Sequence, residues 1–168
     1  MINIRKSIFE TNSSSTHAIC ISKDNNYNIP SSLHFEFGEF GWENKILDGP
    51  EELASYLYTG MHDICYDDAK RFEKFKNHIY SVLGKYGCEC TFAEPSKSKY
   101  GWMDSGYVDH ASELYDFLKS LEKSEKRLLR YLFSSDSFIV MGNDNEDTYR
   151  ETVSEMDFSN VEVFYKDN

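Results

Sequence analysis

The stretch from Asp67 to Gly87 restricts this chain more than any other. Phe72, Phe75, Ile79, Val82, Leu83 and Tyr86 recur every three or four residues and so share one face of a helix. Asp67 and Asp68 stand where a helix is capped, and Gly87 stands where one ends. A helix this long with one apolar face needs a core to lie on, and further helical segments supply it. Asp48-Gly49-Pro50-Glu51-Glu52 opens one with proline early and acids in its first turn. It carries Leu53, Tyr56, Leu57 and Met61 inward and stops near Gly60 or His62. Asp109 caps another, with Leu114, Phe117, Leu118 and Leu121 on its apolar face. Ser124-Glu125 starts a fourth that buries Leu128, Leu129, Leu132 and Phe133, and Thr148 to Met156 makes a short fifth.

Strands frame these helices. Residues 2–9 and 18–22 are rich in isoleucine, and Leu33 to Phe37 alternates, with Leu33, Phe35 and Phe37 on one face. Gly38, Gly41 and Trp42 break that run, and short apolar runs follow at Cys88–Phe92, Phe138–Met141 and Val161–Tyr165. Strands at both ends of a helical middle predict an α+β fold. The expected domain is single, residues 1–168, with a mixed or antiparallel sheet drawn from N-terminal, middle and C-terminal strands and four or five helices. Its parts are an N-terminal hairpin with a polar loop at 10–17, a helical middle at 50–133 and an acidic αβ segment at 134–168. With 168 residues, 40% hydrophobic and 15% aromatic, the chain is long and apolar enough for a real core.

No apolar run approaches the ~18 residues of a membrane span, and the N-terminus lacks the charged-then-apolar pattern of an export signal. The expectation is a soluble, cytoplasmic protein. In that compartment, Cys20, Cys65, Cys88 and Cys90 are reduced thiols. His62 and Cys65 with Cys88 and Cys90 offer four zinc ligands, but neither pair has the usual paired spacing, and small buried thiols are the commoner fate of cysteine. No Walker loop or dinucleotide fingerprint occurs, so the sequence calls for no metal and no cofactor.

The formal net charge is −11, from 29 acidic and 18 basic side chains, which disfavours direct binding to nucleic acid. From Leu132 onward, Arg150 and Lys166 are the only basic residues against nine acidic ones, so that end can steer a basic partner. Asp144, Glu146, Asp147, Glu151, Glu155 and Asp157 are the candidate contacts, with Tyr100 and Trp102 of the 94–106 loop as aromatic anchors. Asp144, Glu146 and Glu155 also have a faint calcium-loop spacing, but Tyr149 stands where such a loop needs glycine.

One polar run remains. Thr11, Asn12, Ser13, Ser14, Ser15 and Thr16 all carry a hydroxyl or amide, and Glu10 and His17 bracket them. Such side chains hydrogen-bond nearby backbone and hold sharp turns. The run fits a structural turn, a binding loop or an active site in which Glu10 and His17 activate a serine such as Ser13. No glycine-rich nucleophile elbow surrounds any of its serines.

The same stretch resembles the N-terminal signature of a widespread group of small phage and prophage proteins, a basic residue followed by (V/I)-F-E-T-N-S-S-S-x-H-S. Arg5, Ile8, Phe9, Glu10, Thr11, Asn12, Ser13, Ser14, Ser15 and His17 match it over about 15 residues, and Ala18 replaces the final serine. The resemblance implies a phage-related origin and no particular activity. Joined to the acidic C-terminal third, it leads to the expectation of a non-catalytic inhibitor of anti-CRISPR type. That inhibitor would bind a host protein with a basic nucleic-acid-binding surface, its carboxylates imitating a phosphate array. The alternatives are a small hydrolase or transferase built on Glu10 to His17, and an accessory phage protein with no inhibitory role.

Overall fold

Ser15–Ser22 (β1) is buried at every position, because it is an inner strand of a sheet covered on both faces. The computed structural model describes residues 15–41, 43–95, 105–143 and 146–166. Phe138–Asn143 (β7) runs antiparallel along one side of β1, from Ser15 opposite Asn143 to Cys20 opposite Phe138. Val161–Lys166 (β8) runs antiparallel along the other, from His17 opposite Lys166 to Ser22 opposite Val161. Lys45–Leu47 (β4) lies beyond β7 and completes the order β4-β7-β1-β8. Side chains alternate across the sheet. Ile19 and Ile21 enter the main core, whereas Ala18 joins a smaller cluster with Val140 and Tyr149 beneath the helix Asp147–Glu155 (α5).

The neighbours of β1 over His17 to Cys20 are β7 on one edge and β8 on the other. The expected hairpin partner, residues 2–9, and Glu10 to Ser14 lie outside the described residues. Ser15, Thr16 and His17, the end of the polar run, belong to β1 and not to a loop.

The main core is built on Pro50–Ile64 (α1), where Leu53, Ala54, Tyr56, Leu57, Tyr58 and Met61 are all fully buried. Fully burying a large apolar side chain stabilises by about 1.5–3 kcal/mol. The tyrosines keep their polar ends satisfied. Tyr58 donates to the Ala93 carbonyl at 2.7 Å, and Tyr131 to the Leu53 carbonyl at 2.8 Å. Ala69–Lys85 (α2) begins as the sequence implies, with the Asp68 carboxylate accepting from the Arg71 N–H at 3.0 Å, and Gly87 follows it at φ 78°. Glu125–Phe133 (α4) is capped by Ser124, whose hydroxyl accepts from the Arg127 N–H at 3.3 Å. Asp109 caps no helix. His110 takes the left-handed conformation, a 3-10 turn at Ala111–Leu114 follows, and only then does Tyr115–Glu122 (α3) begin.

Ser32–Phe35 (β2) and Glu89–Phe92 (β5) form a separate parallel pair, which α1 and α2 connect as a crossover. Glu39–Phe40 (β3) and Tyr107–Val108 (β6) form a second, tighter one. Gly106, at φ 75°, stands just before β6 where any side chain would run into the Gly38 carbonyl, so the approach of these two segments demands glycine. The whole is the expected α+β domain, with an antiparallel main sheet and five α-helices among the described residues. None of those helices is long and apolar enough to cross a membrane.

Candidate functional site

The polar run ends inside the protein. His17 is fully buried on the main-core face of β1. Its Nε2 lies 2.8 Å from the Gly41 carbonyl and its Nδ1 lies 2.8 Å from the Tyr56 hydroxyl. A carbonyl only accepts, which assigns a proton to Nε2; in the neutral ring Nδ1 then accepts from Tyr56. Burial pushes the Tyr56 phenol well above its usual range, so it keeps the proton it donates. The two rings also meet edge to face, with centroids 5.6 Å apart. His17 thus fastens β1 to α1 and to the turn after β3, and neither ring nitrogen faces solvent.

Ser15 is also fully buried and donates to Asp109 Oδ2 at 2.7 Å. His110 Nε2 lies 3.7 Å from the other carboxylate oxygen. The imidazole is therefore on the far side of the carboxylate from the hydroxyl, the wrong order for activating a serine nucleophile. Close by, burial and then the charges of Glu43, Glu39 and Asp109 hold the Tyr107 phenol above its ordinary value. Glu10, Thr11, Asn12, Ser13 and Ser14 lie outside the described residues.

His62, Cys65, Cys88 and Cys90 do not assemble. Among the described residues, no three His, Cys, Asp or Glu side chains gather as a metal-binding group. His62 packs edge-on against Phe37 and Phe72, at 5.0 and 5.2 Å. All four cysteines are buried free thiols, and burial pushes Cys20 and Cys90 up to about 12 and raises Cys65 and Cys88 as well.

The acidic residues behave differently. Tyr149 and Val153 of α5, and Met156 just after it, pack toward the sheet. Asp147, Glu151 and Glu155 are exposed at four-residue intervals, so they form one row on the outer face with a step of about 6 Å. Arg150 is exposed three residues on from Asp147, on the row that flanks the acids on the side away from Thr148 and Thr152. Glu146, just before the helix, is exposed and accepts from the Asn44 side-chain amide at 2.8 Å. Asp157 is exposed just after it and accepts from the Ser159 N–H at 2.9 Å, and hydrogen bonds from Ser159 hold its carboxyl below the usual range. Glu162 differs, because Arg127 Nη2 contacts both of its oxygens at 2.8 Å. Among the described residues, no cation comes within ion-pair distance of Asp147, Glu151, Glu155 or Asp157. Asp144, Tyr100 and Trp102 lie outside the described residues.

Sequence reasoning missed the groove beside this row. Asn44, Ile46, Val140, Thr148 and Thr152 line a depression of about 440 Å³ between β4 and α5. A strand of only three residues has no periodicity to announce it, so nothing in the sequence marked β4. Comparison of the chain with family profiles, curated proteins and solved structures returns no match.

Proposed function

We propose that this chain is a non-catalytic, phage-derived inhibitor that binds a host protein on its basic nucleic-acid-binding surface, in the manner of an anti-CRISPR protein. The observation that carries the proposal is the row Asp147, Glu151 and Glu155, exposed and unpaired among the described residues, with Glu146 and Asp157 at its ends. Its step of about 6 Å is near twice the ~3.4 Å axial rise between phosphates of one DNA strand. A rigid helix can therefore offer a lysine- or arginine-lined channel a carboxylate for roughly every second phosphate. The unpaired charges repel one another within the helix, a cost of a few tenths of a kcal/mol per like pair that a cationic partner relieves.

The enzymatic alternative, with Glu10, Ser13 and His17 as its machinery, draws no support from His17. A general base needs a ring nitrogen within reach of substrate, and this ring is buried against Tyr56 and Gly41.

Titration into DNA-binding and cleavage assays of purified CRISPR effectors and other host nucleases tests the proposal. Equimolar inhibition that fades as salt rises, and is lost in the Asp147→Asn, Glu151→Gln, Glu155→Gln variant, is the expected result. Inhibition at substoichiometric dose, indifference to the variant, or no effect on any effector overturns it.

A further inference from the structure

The groove beside the acidic row has the form of a site for an added strand. Beyond β4 no further strand is paired among the described residues, so the backbone of Lys45 to Leu47 presents a free edge. Ile46 lies opposite Val140 on the α5 side of the sheet. Val140 is buried under Tyr149, but α5 packs on β7 and stops short of β4, leaving Ile46 42% exposed. Thr148 and Thr152 form the wall of the groove on the helix side. Helical geometry places Asp147, Glu151 and Glu155 on the next row outward from those threonines, along the same flank. On the strand side, the charge of Lys45 is matched by Glu52 at 2.8 Å. The helix side of the rim is therefore acidic, the floor apolar and the other wall a strand edge, where Lys45 also lines the groove with its charge engaged by Glu52. A second groove, of about 500 Å³ between α2 and β5, presents Lys76 together with Glu73 and Glu94 and so shows no single charge for a partner to match.

We infer that this groove takes an extended segment of a partner protein, paired to β4 as a fifth strand, with an apolar side chain over Ile46 and lysine or arginine against the α5 row. Strand addition gains affinity from main-chain hydrogen bonds and specificity from alternate side chains. Natural edge strands are usually kept short and charged to prevent it. β4 is short and carries Lys45, but Glu52 of α1 engages that charge, and the residue it turns to the groove face is Ile46. The inference rests on the protein-binding reading above and names the conformation and chemistry of what is bound.

The probe is a short labelled peptide with lysine, valine and lysine at alternate positions and threonine between them, so that all three share the face toward α5. A peptide with glutamate in place of lysine is the control, and both are followed by fluorescence anisotropy with the full chain. The lysine peptide is expected to bind and the glutamate peptide not, and binding should slow amide hydrogen exchange across Lys45 to Leu47. Ile46→Lys should lose binding with its thermal unfolding unchanged, and Thr152→Arg, which fills the groove from the helix, should do the same. The inference is overturned if the lysine peptide fails to bind, if binding survives Ile46→Lys, or if the β4 amides exchange as before. Self-association abolished by Ile46→Lys would give the groove to a second copy of the chain. Binding seen only after removal of residues 1–14 would give it to the chain itself, and either result overturns a partner segment as occupant. The two proposals fail separately: peptide binding without inhibition of any effector removes the inhibitor reading alone, and inhibition indifferent to Ile46→Lys removes the groove alone.

Discussion

The amino-terminal end of β1 and the outer face of α5 are both rows of polar side chains, and they meet opposite fates. Ser15 and His17 are buried with partners inside the protein: Asp109, Tyr56 and Gly41. Asp147, Glu151 and Glu155 face water with no cation beside them among the described residues. The first row spends its hydrogen-bonding capacity on holding the fold, and the second keeps its charge for something outside. Polar density along the chain therefore does not distinguish a working surface from a structural one; what distinguishes them is whether the partners are internal.

Substitutions can break that contrast. His17→Ala should have the largest effect, because it leaves the Tyr56 hydroxyl and the Gly41 carbonyl buried without this partner and opens a cavity; a loss of about 3–5 kcal/mol is expected in urea denaturation. A loss under about 1 kcal/mol would place His17 outside the structural row. Gly106→Ala should cost about 1–3 kcal/mol, since its left-handed backbone and the nearby Gly38 carbonyl both oppose a side chain.

Alkaline pH probes the buried thiols in the same way. Cys20 and Cys90 are raised from 9.0 to about 12 in the folded protein, so the fold favours their neutral form. Their contribution is full below pH 9 and is lost as pH rises from there toward about 12, by about 1 kcal/mol per thiol at pH 10. Urea midpoints measured from pH 8 to 11 should fall accordingly, and a flat profile would show thiols that ionise as freely folded as unfolded. The smallest effect on stability should come from neutralising Asp147, Glu151 and Glu155 together, within about 0.5 kcal/mol and toward stabilisation as like charges are removed. A loss above about 1 kcal/mol in thermal unfolding would make that row structural and erase the comparison.

Much of the fold was legible because its signals are local. Asp68, Gly87 and Ser124 act at helix ends within three residues of the groups they satisfy, and the apolar faces of α2 and α4 repeat at helical spacing. Asp109 looked like another such cap, yet its carboxylate serves Ser15, 94 residues away in the chain. The partners of His17 are 39 and 24 residues away, and no local pattern encodes them. β3, β4 and β6 have two or three residues each, too few for alternation to appear. The acids of α5 were readable one by one, but their neighbour Ile46 reaches the groove only through the register of β4 on β7.

The place of β1 in the sheet also bears on how the chain is made. Ser15 pairs with Asn143 and Ser22 with Val161, so the innermost strand leaves the ribosome long before either neighbour exists. At about 5–20 residues per second, its isoleucines wait roughly 6 to 25 seconds for the strands that enclose them. Closing so wide a loop is slow for the same reason that non-local topologies fold slowly. A nascent chain interrupted before β8 would expose one whole edge of its central strand, a template for aggregation. The order of synthesis thus leaves the strand that ends up most enclosed as the one that stays longest without its neighbours.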